Sequence, residues 1–193
     1  MSSMTQWLEI AKTEMSAYIE SKGYKTPEVD LNYGFTSSGA RSSAVGECWP
    51  RSACSSGLNF ILLRPTEPDP VKLLATLLHE YVHAIDDCKN SHNKEFKKIA
   101  TSLGLIGPMR STEANPELKM VLKSMLAKIG KPPNRHITTS LKRRISVPTP
   151  KSKCPECEYT VSVPRKYVDF GVPICPVHKI PMTDTKYWKG LVE

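Results

Sequence analysis

Apolar residues recur every three or four positions along several stretches of this chain and every second position along others. Trp7, Ile10, Ala11, Met15, Tyr18 and Ile19 mark one face of a helix over residues 5–22, stopped by Gly23. Val29, Leu31 and Tyr33 alternate with polar residues, as in a half-buried strand. Gly34 to Ser43 is rich in Gly and Ser and reads as a loop. Residues 44–49 form a second strand, and residues 58–63 a third that Pro65 closes. Asp69 followed by Pro70 is a helix start, with an acceptor at the N-cap and proline in the first turn. Leu73, Leu74, Leu77, Leu78, Val82 and Ile85 give that helix a wide apolar stripe, and it is expected to fray near Lys89 to Ser91.

Phe96, Ile99, Ala100 and Leu103 mark the next helix, capped by Ser91 or Asn93 and stopped by Gly104. Asn115-Pro116-Glu117 opens another, with Leu118, Val121, Leu122, Met125, Leu126 and Ile129 on its buried face and Gly130 to Pro133 at its end. One helix, three closely spaced short strands and three further helices predict an α+β domain over residues 1–130 with a small antiparallel or mixed sheet. Residues 131–152 turn proline-punctuated, polar and basic and read as a linker, followed by a small module over 153–193.

Charge sharpens this division. Residues 1–67 carry 6 Lys/Arg against 7 Asp/Glu, and residues 68–118 again 6 against 7, whereas residues 119–193 carry 15 against 5. A basic surface confined to one part of a chain attracts a polyanion, most commonly nucleic acid. Lys142, Arg143 and Arg144 in the linker and Arg165 and Lys166 in the module are the candidate contacts, with Tyr167, Phe170, Tyr187 and Trp188 interleaved. No run approaches the ~18 apolar residues of a membrane span, and the first residues show no secretory pattern. These features predict a cytoplasmic, DNA-associated protein, in which paired cysteines bind metal more often than they form disulfides.

Two metal sites are legible. His79-Glu80-Tyr81-Val82-His83 spells H-E-x-x-H on the predicted helix, so both imidazoles lie on one face, one turn apart, and can hold one Zn²⁺. Glu80 is then placed to act as general base on a metal-activated water. Catalytic zinc takes three protein ligands, and Asp86, Asp87, His92 and Glu95 are the candidates for the third. His92 is favoured because it lies past the helix end, where the chain can turn back; Glu95 is the alternative. The second site is Cys154-Pro155-Glu156-Cys157 with Cys175-Pro176-Val177-His178, a C-x₂-C-x₁₇-C-x₂-H spacing that matches a structural zinc ribbon. Four ligands close the shell, and the metal supplies stability that a module of ~40 residues lacks. Two Zn²⁺ per chain are expected. Cys48, Cys54 and Cys88 show no comparable spacing and read as small buried or free thiols.

These residues together resemble the SprT-like (Spartan-related) zinc metalloprotease family. Leu77 to Ala84 matches its H-E-x-x-H-A motif, and Ser91 to Phe96 its His-Gly-x-x-Phe segment, with Asn93 in place of the glycine. Gly46 to Trp49, Asp69-Pro70 and the two cysteine turns look like segments of compact relatives from bacteria and their phages, so the likeness spans most of residues 44–182. It implies a minimal zincin fold, His79, His83 and His92 as zinc ligands, Glu80 as the catalytic glutamate, and cleavage of DNA-linked protein. Asn tolerates a left-handed backbone better than most residues, which suits the glycine position. The expected function is therefore zinc-dependent endopeptidase action on DNA-bound protein. The alternative is a non-catalytic nucleic-acid-binding protein whose ribbon serves a transcription or replication complex.

Overall fold

The computed structural model describes residues 3–39, 42–133, 137 and 148–184. The chain divides into two compact units, Met1–Thr139 and Ser140–Glu193. The first unit runs α1 (Met4–Ser21), β1 (Val29–Tyr33), β2 (Gly46–Trp49), a 3₁₀ turn (Arg51–Ala53), β3 (Asn59–Leu63), α2 (Pro70–Ile85), α3 (Lys94–Ser102), β4 (Leu105–Ile106), β5 (Glu113–Ala114) and α4 (Pro116–Ile129). It is an α+β unit. Its three-stranded sheet has the order β1-β3-β2, with β1 parallel and β2 antiparallel to the central β3, so the sheet is mixed. β4 and β5 form a separate two-residue ladder.

Helix α2 lies across this sheet, and its sequence explains why. The Asp69 side chain accepts from the Val71 N–H at 2.9 Å, Pro70 occupies the first turn, and Leu73, Leu74, Leu77, Leu78, Tyr81 and Val82 are all at most 2% exposed. Burying six large side chains is worth on the order of 10 kcal/mol before chain entropy is counted. Helix α1 packs through Trp7, Leu8, Ala11, Met15 and Ile19, and Trp7 Nε1 donates to the Gly130 carbonyl at 2.9 Å. Ile10, expected on that face, is 46% exposed, and Leu8 takes its place. At about 100° per residue the buried stripe centres near Ala11 and Met15, which puts Ile10 about 120° off it.

The end of α2 also differs from expectation. The helix stops at Ile85, several residues before Lys89. Asp87 (φ 57°) and Cys88 (φ 60°) adopt left-handed backbone, and Ser91 (φ 45°) does so again. Three reversals in five residues fold the chain back over the last turn of the helix. Asn93 then caps α3, accepting from the Glu95 N–H at 2.9 Å and the Phe96 N–H at 3.3 Å, so the cap is Asn93 rather than Ser91.

In the second unit β6 (Lys151–Lys153) pairs antiparallel with β7 (Thr160–Ser162) and with β8 (Thr183–Asp184), and a 3₁₀ turn (Arg165–Phe170) follows β7. β6 begins inside the stretch read as linker. Among the described residues of this unit, Cys154, Val163, Cys175 and Met182 are buried, with Pro150 beside them. Among the described residues no helix is long and apolar enough to cross a membrane.

Candidate metal centres

The backbone reversal after α2 has a chemical consequence. It returns His92 to the helix face that carries His79 and His83. His92 Nε2 lies 3.2 Å from His79 Nε2 and 3.2 Å from His83 Nε2. Nitrogens ~2.0–2.1 Å from a shared tetrahedral zinc lie ~3.3 Å apart, so the spacing of the donors fits such an ion. Of the four candidates for third ligand, the structure brings His92 to the pair. Asp87 instead accepts from the Arg51 N–H at 2.9 Å and from Asn59 Nδ2 at 3.0 Å, and Glu95 is exposed.

The protonation chemistry favours the same use. Burial, then His92, pushes His79 down to about 4, and burial, then His79 and His92, pushes His83 down to about 3. His92 is also held below its ordinary value, by burial and then by Arg110. Near pH 7 all three rings are neutral and offer lone pairs. His79 Nδ1 lies 2.8 Å from Thr112 Oγ1, and a proton donated there leaves Nε2 as the lone-pair nitrogen. Phe96, fully buried, packs against all three rings, with centroids 4.4–5.0 Å away. Neither Thr112 nor this ring stack was read from the pattern of the chain. Thr112 follows α2 by 27 residues and belongs to no motif, and the pattern of the chain marks Phe96 only as an apolar position.

Glu80 follows His79 on the same helix turn and is 5% exposed. Burial, then Cys88 and Glu47, raises its carboxyl to about 8. The sheet comes unusually close to it: a Cβ added at Gly46 would fall 2.5 Å from Glu80 Oε1. The three histidines and Glu80 open together onto a cleft of about 850 Å³, walled on one side by Ser42 to Cys48 and on the other by Arg110 to Thr112. The wall formed by β2 is the edge of the sheet.

The second cluster, Cys154, Cys157, Cys175 and His178, is a Cys₃His group that could bind a metal. Cys154 Sγ lies 3.6 Å from His178 Nδ1, Cys175 Sγ lies 3.8 Å from His178 Nδ1, and Cys157 Sγ lies 3.8 Å from Cys175 Sγ. Tetrahedral zinc with ~2.3 Å sulfur bonds sets sulfurs ~3.8 Å apart, whereas a disulfide needs ~2.05 Å. The two turns repeat one another. Cys154 N–H donates to Tyr159 O and Glu158 N–H to Cys154 O; Cys175 N–H donates to Ile180 O and Lys179 N–H to Cys175 O. Glu158 (φ 59°) and Lys179 (φ 56°) take the same left-handed position in each. Backbone N–H of His178 helps hold the Cys175 thiol down at about 6, which favours a thiolate ligand.

Of the candidate nucleic-acid contacts, Arg165 and Lys166 lie on the exposed 3₁₀ turn, where Lys166 Nζ sits 4.7 Å from the Tyr167 ring centroid and Phe170 is 84% exposed. Lys142, Arg143, Arg144, Tyr187 and Trp188 lie outside the described residues. Comparison with family models, with curated proteins and with solved structures found no match.

Proposed function

We propose that this protein is a zinc-dependent endopeptidase of SprT-like type that acts on DNA-associated protein, with a minimal zincin-like core and a zinc-ribbon tail. The observation that carries the reading is the convergence of three imidazole Nε2 atoms beside a buried glutamate, at the mouth of a cleft with a free strand edge. His79, His83 and His92 would hold the ion. A zinc ion held there would polarise a peptide carbonyl and acidify a water molecule.

The chain's own groups supply the rest. Glu80 takes the proton from that water and passes it to the leaving amine nitrogen. Its carboxyl, raised by burial, would be drawn back toward the ionised form by the charge of an ion that the three histidines would hold. The outward backbone groups of β2 are available to an extended substrate, which would add as a further strand. The Cys₃His group would hold a second, structural zinc, and Arg165 and Lys166 would contact phosphate.

The test is incubation of wild-type and Glu80→Gln protein with a DNA-bound protein substrate, with and without DNA and chelator. Wild type is expected to cleave and Glu80→Gln to retain its zinc without cleaving. Equal cleavage by the two proteins removes Glu80 as the base. Salt-sensitive DNA binding with no cleavage under any condition replaces this reading with the non-catalytic nucleic-acid-binding one, which the exposed Tyr167 and Phe170 beside Lys166 favour.

A further inference from the structure

The cleft holds a pair of thiols that the metal chemistry does not use. Cys48 lies on β2, and Cys88 lies in the turn after α2; both line the cleft, and both are free. Their sulfurs are 3.4 Å apart, and Cys88 Sγ also lies 3.6 Å from the Cys48 carbonyl oxygen. Residues two apart on a strand share a face, so Cys48 faces α2 on the same side as Gly46, which abuts Glu80.

The backbone, more than a chance rotamer, sets this approach. Asp87 and Cys88 are consecutive left-handed residues without being glycine, a conformation that persists only where neighbours hold it. They are held from both sides. Cys88 N–H donates to the His83 carbonyl at 2.8 Å, and Asp87 Oδ1 accepts from Arg51 and Asn59. On the other side β2 is fixed by its register, with Cys48 opposite Ile61 of β3. The remaining thiol of this unit, Cys54, is turned to the Pro50 carbonyl at 3.4 Å.

We propose that Cys48 and Cys88 are a site of reversible oxidative modification, closing to a disulfide that staples the edge strand to the turn following the metal-ligand helix. The oxidant class is a peroxide that enters by the cleft. Hydrogen peroxide oxidises one thiolate to the sulfenic acid, transferring one oxygen and leaving as water once protonated. The second thiolate attacks that sulfur, forms the S–S bond and expels hydroxide, which is protonated to a second water. Two thiols lose two hydrogens and two electrons, and one peroxide becomes two waters. The sulfurs have to close from 3.4 Å to ~2.05 Å, a movement within reach of small side-chain rotations. The site stands on this geometry alone and holds whatever chemistry the cleft performs.

The zinc-loaded full chain is treated with hydrogen peroxide, its remaining thiols are alkylated, and disulfide-linked peptides are mapped after trypsin. Cleavage after Arg51 separates Cys48 from Cys54. The expected result is a linked pair joining the Cys48 and Cys88 peptides, unchanged metal content, and a melting temperature higher by at least about 4 °C that a thiol reductant reverses. Cys48→Ser and Cys88→Ser each abolish the link and the rise, whereas Cys54→Ser keeps both. A link from Cys48 to Cys54, over-oxidation of Cys88 without a link, persistence of both free thiols, or a link that leaves the melting temperature unchanged overturns the proposal.

Discussion

Two residues outside the H-E-x-x-H letters decide whether those letters can work. Thr112 holds His79 through Nδ1, and removing such an outer partner weakens metal binding by about 10–100-fold. Thr112→Val keeps the shape and deletes the hydroxyl. Competition against a chromophoric chelator is expected to show that loss at the histidine site while the ribbon site holds its metal. An unchanged affinity would assign Thr112 to packing alone. Gly46 acts on Glu80 by leaving room. An alanine Cβ there meets Glu80 Oε1 at 2.5 Å, Thr76 Cγ2 at 2.7 Å and Glu80 Cγ at 2.9 Å. Each distance is shorter than side chains tolerate, so the Glu80 carboxyl has to shift toward the cleft and give up its present position beside His79. Gly46→Ala is therefore expected to lower cleavage at least tenfold while zinc content stays that of wild type. Full activity would show that Glu80 has another working position.

At the scale of elements, the turn between α2 and α3 is the part that assembles the site, and Asn93 is its anchor. Asn93 has φ −79° and caps α3 with its side chain, so the left-handed backbone that a glycine motif suggests lies two residues earlier, at Ser91. Loss of such a cap costs about 1 kcal/mol for alanine and only a few tenths for glycine. Urea denaturation of the zinc-loaded chain should rank Asn93→Gly close to wild type and Asn93→Ala below it; the opposite order would mean that the cap is not what holds this turn. Most of the helices were legible in the chain because periodicity and punctuation agreed: Asp69-Pro70, Asn115-Pro116 and the Leu-rich stripe of α2 left few alternatives. The failures have a common cause. Ile10 fits the spacing yet faces solvent, because spacing alone does not fix the centre of a stripe. The early stop of α2 is not legible because Asp87 and Cys88 are not residues that announce a left-handed turn. The partnership of β1 with β3 in parallel, across an intervening β2, depends on contacts far apart in sequence, which local pattern does not encode.

For the whole molecule, the two units differ in how much core they have without a metal. Among the described residues the second unit's core cluster is Cys154, Cys175 and Met182, whereas the first has a core running from Met4 to Met125. Chelation is accordingly expected to expose residues 151–184 to protease while the first unit stays resistant; equal loss of both would contradict the difference in core size. In the metal-stripped first unit the buried titratable groups then govern stability, and they act in opposite directions. His79 and His83 fall to about 4 and about 3 when folded, below their ordinary 6.5. As pH drops below 6.5 the unfolded chain takes protons that the folded chain refuses, so stability is present above 6.5 and is lost on acidification toward pH 3–4. Glu80 rises from 4.5 to about 8. Here the folded chain takes the proton, so its contribution is full below 4.5 and is lost as pH climbs through about 8. Near pH 5.5 the two histidines outweigh the one carboxyl and stability increases with pH; above 7 the raised Glu80 carboxyl makes stability decline, while the Cys88 thiol, held below its ordinary value by the Cys48 hydrogen bond, works in the other direction. The metal-free wild type should thus melt highest between about pH 6.5 and 7 and lose on the order of a few kcal/mol by pH 9. Glu80→Gln removes the alkaline limb and steepens the acid limb, where the carboxyl no longer offsets the two histidines. Because the ribbon is common to both proteins, the difference between their melting curves isolates the one buried carboxyl. A Glu80→Gln protein whose alkaline decline matches wild type would mean that Glu80 is already ionised in the empty site, and that the base is set by its surroundings before any metal arrives.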